Sequence, residues 1–165
     1  MRLMRKIDGF TFIEAIMVIL ILSLVAGIAI PGVMAWRSAA KLRGAAGNLK
    51  GDLELAKLKA IQENGMVAIN FKENEYTVFK DDGATQGVHD GDEDLYGNRI
   101  LPAGVIVDLV QTNLNDDGLG GKYMRFTGKG TADNGTAYLV NSRGAIKKVI
   151  ISILGKIRIE SGEAS

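Results

Sequence analysis

The residues whose types and spacing invite chemistry come first in the chain: Gly9, Phe10 and Glu14, at the head of a long apolar run. No charge follows Glu14 until Arg37. An ionised carboxylate at a bilayer centre costs ~2.5–3.5 kcal/mol even on lenient scales, so Glu14 needs a partner if this run crosses a membrane. Hydrolysis of the Gly9–Phe10 bond would supply one, a positive amine on Phe10. Positions 10 and 14 are i and i+4 and share a face on a helix. The amine of the same chain, or of a neighbouring copy, could then neutralise the carboxylate.

Other candidate chemistry is thinner. Asp90-Gly91-Asp92-Glu93-Asp94 places oxygens as at the start of an EF-hand loop, but Leu95 and Leu101 stand where that loop needs Gly and Glu. A non-EF calcium site with Asp81 and Asp82 competes with a solvated polar loop, which is the favoured reading; no metal is assigned. Gly118-Leu119-Gly120-Gly121-Lys122 and Gly128-Lys129-Gly130 fail both phosphate-loop and dinucleotide spacings. Asn134-Gly135-Thr136 is formally a glycosylation sequon and reads better as a turn. The chain has no Cys, which excludes disulfides, thiol nucleophiles and cysteine-bound metals, and its one His, His89, has no catalytic partners in sequence. No enzyme and no cofactor are expected.

The elements that must position these residues begin with the apolar run. Residues 15–36 are 22 uncharged, mostly apolar residues, roughly 33 Å of helix and enough to span a bilayer. Three readings compete. A secretory signal peptide is opposed by the run's length and by Glu14 within it. A plain transmembrane anchor leaves Glu14 without a use. A chain cut after Gly9 gives it one. Within the run, Pro31 cannot bond the carbonyl of Gly27 and crowds it, so Gly27–Pro31 should kink or melt more readily than its surroundings.

Gly9-Phe10-Thr11-Phe12-Ile13-Glu14, with a basic leader before it and the apolar helix after it, closely resembles the class III signal of type IV prepilins and type II secretion pseudopilins. The resemblance implies that a prepilin peptidase cuts after Gly9 and methylates Phe10. It also implies an assembly role for Glu14 and helix adaptation at Gly27 and Pro31.

From Arg37 to about Gln62 the helix pattern continues as an amphipathic one, with Leu42, Ala46, Leu49, Leu53, Ala56 and Ala60 at steps of three or four. Gly44, Gly47 and Gly51 weaken it, so either close backbone approach is needed there or the anchor tolerates a weak helix. Asn64-Gly65 ends it, Gly being the usual stop. Beyond residue 65 the period becomes two. Strands are expected at Met66–Phe71 and Tyr76–Lys80 as a hairpin, then at Val105–Val110, Tyr123–Thr127, Thr136–Val140, Ile146–Ser152 and Lys156–Glu160. The expected fold is α+β, a long N-terminal helix packed on antiparallel β-sheets. The expected organisation is a leader at 1–9, a transmembrane half-helix at 10–36, an amphipathic half-helix at 37–64 and a β-rich domain at 65–165.

This layout is similar to the GspH/FimT branch of pilin-like proteins. The softer, branch-specific features are the Asp/Gly-rich loop from Asp81 to Asp94, Phe126–Gly130, Gly135–Leu139 and the ending Val149–Ser152 with Gly155-Lys156-Ile157-Arg158. The resemblance implies a single-pass inner-membrane protein with its C-terminal domain in the periplasm. Its partners would be prepilin peptidase and other pseudopilins or pilins. The implied work is structural, in a type II secretion pseudopilus or, alternatively, in a minor type IV pilin serving pilus assembly or DNA uptake. Lys156 and Arg158 are the candidate DNA contacts, because the ending is similar to a Gly-Arg-x-Arg ending of FimT-type pilins; Lys in place of the first Arg keeps charge and loses the planar fork. A third reading is a secreted soluble β-rich protein with a cleaved signal. Charge supports no bulk affinity: the chain is +1 overall.

Overall fold

The computed structural model describes residues 10–83, 85–89 and 94–162. The leader with Gly9 and the acidic residues 90–93 lie outside the described residues. The chain divides into two compact units, Met1–Arg37 and Ser38–Ser165.

In the first unit, helix α1 (Phe12–Glu63) begins. Its apolar side chains stand exposed all round, from Phe12 and Ile13 through Ile28 to Met34 and Trp36. The helix is continuous through Gly27 and Pro31.

In the second unit α1 buries one stripe, Leu42, Ala45, Ala46, Leu49, Leu53, Ala56 and Ala60, which contains all six residues of the sequence pattern. These pack into one core with both sheets. The strands are β1 (Val67–Phe71), β2 (Glu75–Lys80), β3 (Asp94–Ile100), β4 (Val105–Val107), β5 (Asn115–Asp116), β6 (Lys122–Phe126), β7 (Gly135–Asn141), β8 (Ile146–Ile151) and β9 (Ile157–Gly162). The first sheet has strand order β3-β2-β1-β6-β5 and the second β4-β7-β8-β9. All pairings are antiparallel. The turn of the β1–β2 hairpin ties the sheets together: Val107 N–H donates to the Glu73 carbonyl at 2.8 Å, and Leu101 N–H to that of Asn74 at 2.9 Å.

Four expectations need correction. The strand from Val105 stops at Val107, because the Asp108 carboxylate takes the N–H groups of Val110 and Gln111 and folds the chain into a turn. At the end of α1 it is Asn64, not Gly65, that adopts positive φ, at 47°. Asn64 N–H then bonds the Ile61 carbonyl at 3.3 Å and Gly65 N–H that of Ala60 at 3.1 Å, a Schellman closure with Asn in the left-handed position. Gly44, Gly47 and Gly51 have no neighbour among the described residues within 4 Å of where a Cβ would stand, so of the two readings the tolerated weak helix is the one that fits within this chain. Finally, β3 and β5 are strands that the sequence pattern does not announce.

Candidate functional site

The N-terminus of α1 is built by Thr11. Its Oγ1 accepts the N–H of Glu14 at 3.3 Å, and its carbonyl accepts the N–H of Ala15 at 3.2 Å. Thr11 is therefore the N-cap and Glu14 sits three positions in, near the positive end of the helix dipole. Thr-x-x-Glu is the capping-box pattern, and it is the signal that identifies Thr11, which spacing from Phe10 to Glu14 alone passes over. Phe10 is 69% exposed and Glu14 is exposed as well. The site thus offers an open carboxylate one turn after Phe10, and it ends in a helix long and apolar enough to cross a membrane.

The remaining candidates from sequence are structural in their contacts. The buried Asp81 carboxylate accepts the Gly87 N–H at 3.1 Å and lies 3.9 Å from the Arg125 guanidinium. Arg125 also bridges to Asp133 at 3.1 Å and donates to Gln86. Asp82 pairs with Lys80 at 2.8 Å. His89 meets Asp94 at 3.1 Å and stands edge-on to Phe79. No group of three metal-ligating side chains gathers among the described residues. In the Gly118–Lys122 loop, the Asp117 carboxylate takes the N–H groups of Leu119 and Gly121, each at 2.8 Å, together with the Asn70 amide at 2.9 Å. Those loop N–H groups are consumed internally. Burial acts to raise the Asp117 pKa, but these hydrogen bonds outweigh it and hold the carboxyl below its usual range.

Lys156 and Arg158 are exposed on the β8–β9 hairpin. Ile157 enters the core and Ile159 packs against it, so the charges alternate outward as expected. Arg158 shares its face with Lys148 and Glu160, and Glu160 lies 3.8 Å from its guanidinium. Lys148 rests over the Tyr138 ring at 5.4 Å.

Two arrangements have no sequence signal because their partners are far apart in the chain. On the flank of α1 a groove of about 680 Å³ is lined by Gly47, Gly51, Asp52, Leu55, Arg99 and Ile100, among others. In it Tyr76 donates its hydroxyl to Asp52 at 2.7 Å, and Arg99 approaches the same oxygen at 3.4 Å. Burial, then the Asp52 contact, drives the Tyr76 pKa far above its ordinary value. At the other end of the helix, Lys57 donates to the Gly155 carbonyl at 3.0 Å. A Cβ on Gly128 would stand 2.7 Å from Asn64 Oδ1, and one on Gly155 would stand against the Gly130 carbonyl. The glycines of two turns are thus the fit of two loops around the end of α1.

Comparison with known proteins agrees with this geometry. Residues 45–155 match the family model described as type II transport protein GspH, and residues 4–30 match the prokaryotic N-terminal methylation motif. No curated protein matches the chain. Among solved structures, the fold is similar to the minor pseudopilin EpsH from the type 2 secretion system of Vibrio cholerae. That match has a TM-score of 0.55 and 15% identity, covering 74% of this chain and 99% of that one. It is also similar to the type IV minor pilin FimU of Pseudomonas aeruginosa, with a TM-score of 0.54 and 14% identity, covering 78% and 98%.

Proposed function

This chain belongs to the GspH family of type II transport proteins, and from that premise we propose that it is a structural minor pseudopilin of a type II secretion system. A prepilin peptidase removes residues 1–9 and methylates Phe10. The mature chain is held in the inner membrane by the first part of α1, with its C-terminal domain in the periplasm. It then joins other pseudopilins in a periplasmic pseudopilus that serves protein secretion. The observation that carries this reading is the apolar helix exposed on every side and headed by Phe10 and Glu14. Such a helix buries its surface only in lipid or against other helices. In lipid the Glu14 carboxylate is expensive, and the Phe10 amine of its own or a neighbouring chain neutralises it. The open face at Gly44, Gly47 and Gly51 supports assembly by helix packing. Among the described residues, none comes within 4 Å of where a Cβ would stand at these positions.

The experiment is mass spectrometry of the mature chain with an assembly readout. An N-methylated Phe10 start is expected. Gly9→Val should leave the leader attached, and Glu14→Val should be cleaved normally yet be lost from filaments. A mature start near Ile30 would sink the reading in favour of a cleaved signal peptide. Normal incorporation of Glu14→Val would remove charge pairing as the recruiting force.

A second reading, a FimT-like minor type IV pilin, draws on the near-equal fold similarity to FimU. Its DNA-contact version uses Lys156 and Arg158, and the proximity of Glu160 to Arg158 weakens it. Phosphate contacts need positive charge and are salt-sensitive. Duplex DNA titrated at low salt should be bound less well by K156Q/R158Q if this version holds, and absence of any binding eliminates it.

A further inference from the structure

The charges that follow the span are all of one sign. From Ala15 to Gly51 the sequence contains Arg37, Lys41, Arg43 and Lys50 and no Asp or Glu; the first carboxylate after Glu14 is Asp52. Arg37, Lys41 and Arg43 are exposed. The hydrogen bond of Lys41 goes to the carbonyl of Ala103, at 3.1 Å, which is neutral and leaves the ammonium charge uncompensated. Arg37 and Lys41 are four apart in sequence within α1, a spacing at which like charges repel. Immediately before them stands Trp36, the only tryptophan, 66% exposed.

We propose that Trp36, Arg37, Lys41 and Arg43 form a lipid-binding collar that takes the phosphate headgroups of anionic phospholipids in the leaflet on the C-terminal side of the span. The inference rests on the membrane placement given above and adds a lipid preference to it. Two observations place these residues at the headgroup layer, and two favour an anionic headgroup there. The order along the chain is apolar run, then indole, then cations, which is the order of hydrocarbon, interface and headgroup layers. Arg37 to Arg43 covers ~9 Å of helix, comparable to the polar layer on one side of a bilayer. Two guanidinium groups present the fork that matches a phosphate. An anionic layer also relieves the Arg37–Lys41 repulsion, which a zwitterionic headgroup, carrying its own cation, does less well. The leader cations Arg2, Arg5 and Lys6 precede the span in sequence and leave with the leader, so after the Phe10 amine the next cations of the mature chain are those of this collar.

The single tryptophan makes the test direct. The full chain is reconstituted in phosphatidylcholine vesicles containing a small, equal fraction of nitroxide-labelled phosphatidylglycerol or nitroxide-labelled phosphatidylcholine, the label high on one acyl chain. Quenching of Trp36 emission then reports which lipid sits beside it. At low salt the anionic lipid should quench on the order of two- to fivefold more strongly. The ratio should fall towards one at about 0.5 M salt, where the Debye length is only a few ångströms. It should fall likewise in R37Q/K41Q/R43Q, and should persist in K50Q, beyond the collar. Equal quenching by the two lipids at low salt, or a preference that survives the triple substitution, would overturn the collar and leave the membrane placement standing. Quenching by neither lipid would overturn both.

Discussion

Replacing Gly44, Gly47 and Gly51 together with Ala should make the isolated subunit markedly more stable. Each sits inside α1, where Gly is less favourable than Ala by ~0.8–1.0 kcal/mol. Each has open space where the methyl would go, with no neighbour within 4 Å, so no packing penalty offsets the gain. Summed without coupling, the three give about 2.4–3 kcal/mol as an upper bound, because sites one turn apart on a helix face can couple. With roughly 2.1 cal/mol/K of unfolding entropy per residue over the Ser38–Ser165 unit, the midpoint should rise by as much as roughly 9–11 °C. The assay is thermal unfolding of the full chain in detergent, followed by circular dichroism, for the three single variants and the triple. An unchanged or lowered midpoint in the triple variant would refute the reasoning, since it would mean that the space is filled or the helix broken there. If the glycine face is where a neighbouring subunit packs, the same variant should enter filaments less well while being more stable alone. Stability and assembly would then move in opposite directions.

Gly128→Ala should do the reverse of this, losing ~1–3 kcal/mol because its methyl meets the Asn64 backbone 2.8 Å away, so backbone must shift to admit it; a drop in thermal midpoint checks it. Asp117→Asn should cost about 1–2 kcal/mol at neutral pH by weakening three hydrogen bonds to a charged acceptor. Because the folded pKa of Asp117 is depressed, its contribution is present above the ordinary carboxylate pKa of ~4 and is lost as pH falls through the folded value. The stability gap between wild type and variant, measured by denaturant unfolding, should therefore close on acidification. Tyr76→Phe should cost about 1–2 kcal/mol through its bond to Asp52. Since burial and then Asp52 raise the pKa of Tyr76, ultraviolet titration should show one of the four tyrosines ionising last, and that step should vanish in the variant.

The parts of the fold that the sequence announces are those set by local periodicity. The α1 stripe from Leu42 to Ala60 is legible because every third or fourth residue is apolar and most charges lie off it. The β1–β2 hairpin is legible because Met66–Phe71 and Tyr76–Lys80 alternate around a short polar turn. Strand β3 is hidden because it is an edge strand with little to bury: Leu95, Tyr96 and Gly97 are only half-buried, and Asn98 and Arg99 make polar contacts. Gly97, at φ 66°, further breaks its pattern. Strand β5 is two exposed residues whose extended form is set by pairing with β6. At the head of the candidate site, residue type and spacing single out Gly9, Phe10 and Glu14, of which Gly9 lies outside the described residues, while the Thr11 cap emerges from the helix start. The Asp52–Tyr76–Arg99 cluster is not, since its members come together only when β2 and β3 are laid beside α1.

The contacts around Lys57 have a mechanical consequence. Any pull that reaches the β-rich domain through its N-terminus enters along α1. From Leu42 to Ala60 that helix holds the core through a stripe of side chains running parallel to the pull. A load in that direction shears the whole stripe at once instead of peeling contacts off singly. At the far end of the stripe, Lys57 grips the β8–β9 turn at Gly155, while Ile61 and Asn64 abut the β6–β7 loop at Gly130 and Gly128. Tension is therefore divided between the two sheets before it reaches β1, the first strand that could be unzipped. A load applied along that helix would meet the domain in shear, and cutting the Lys57 grip would remove one tie to the second sheet while the core stripe and the β6–β7 loop still bear on both.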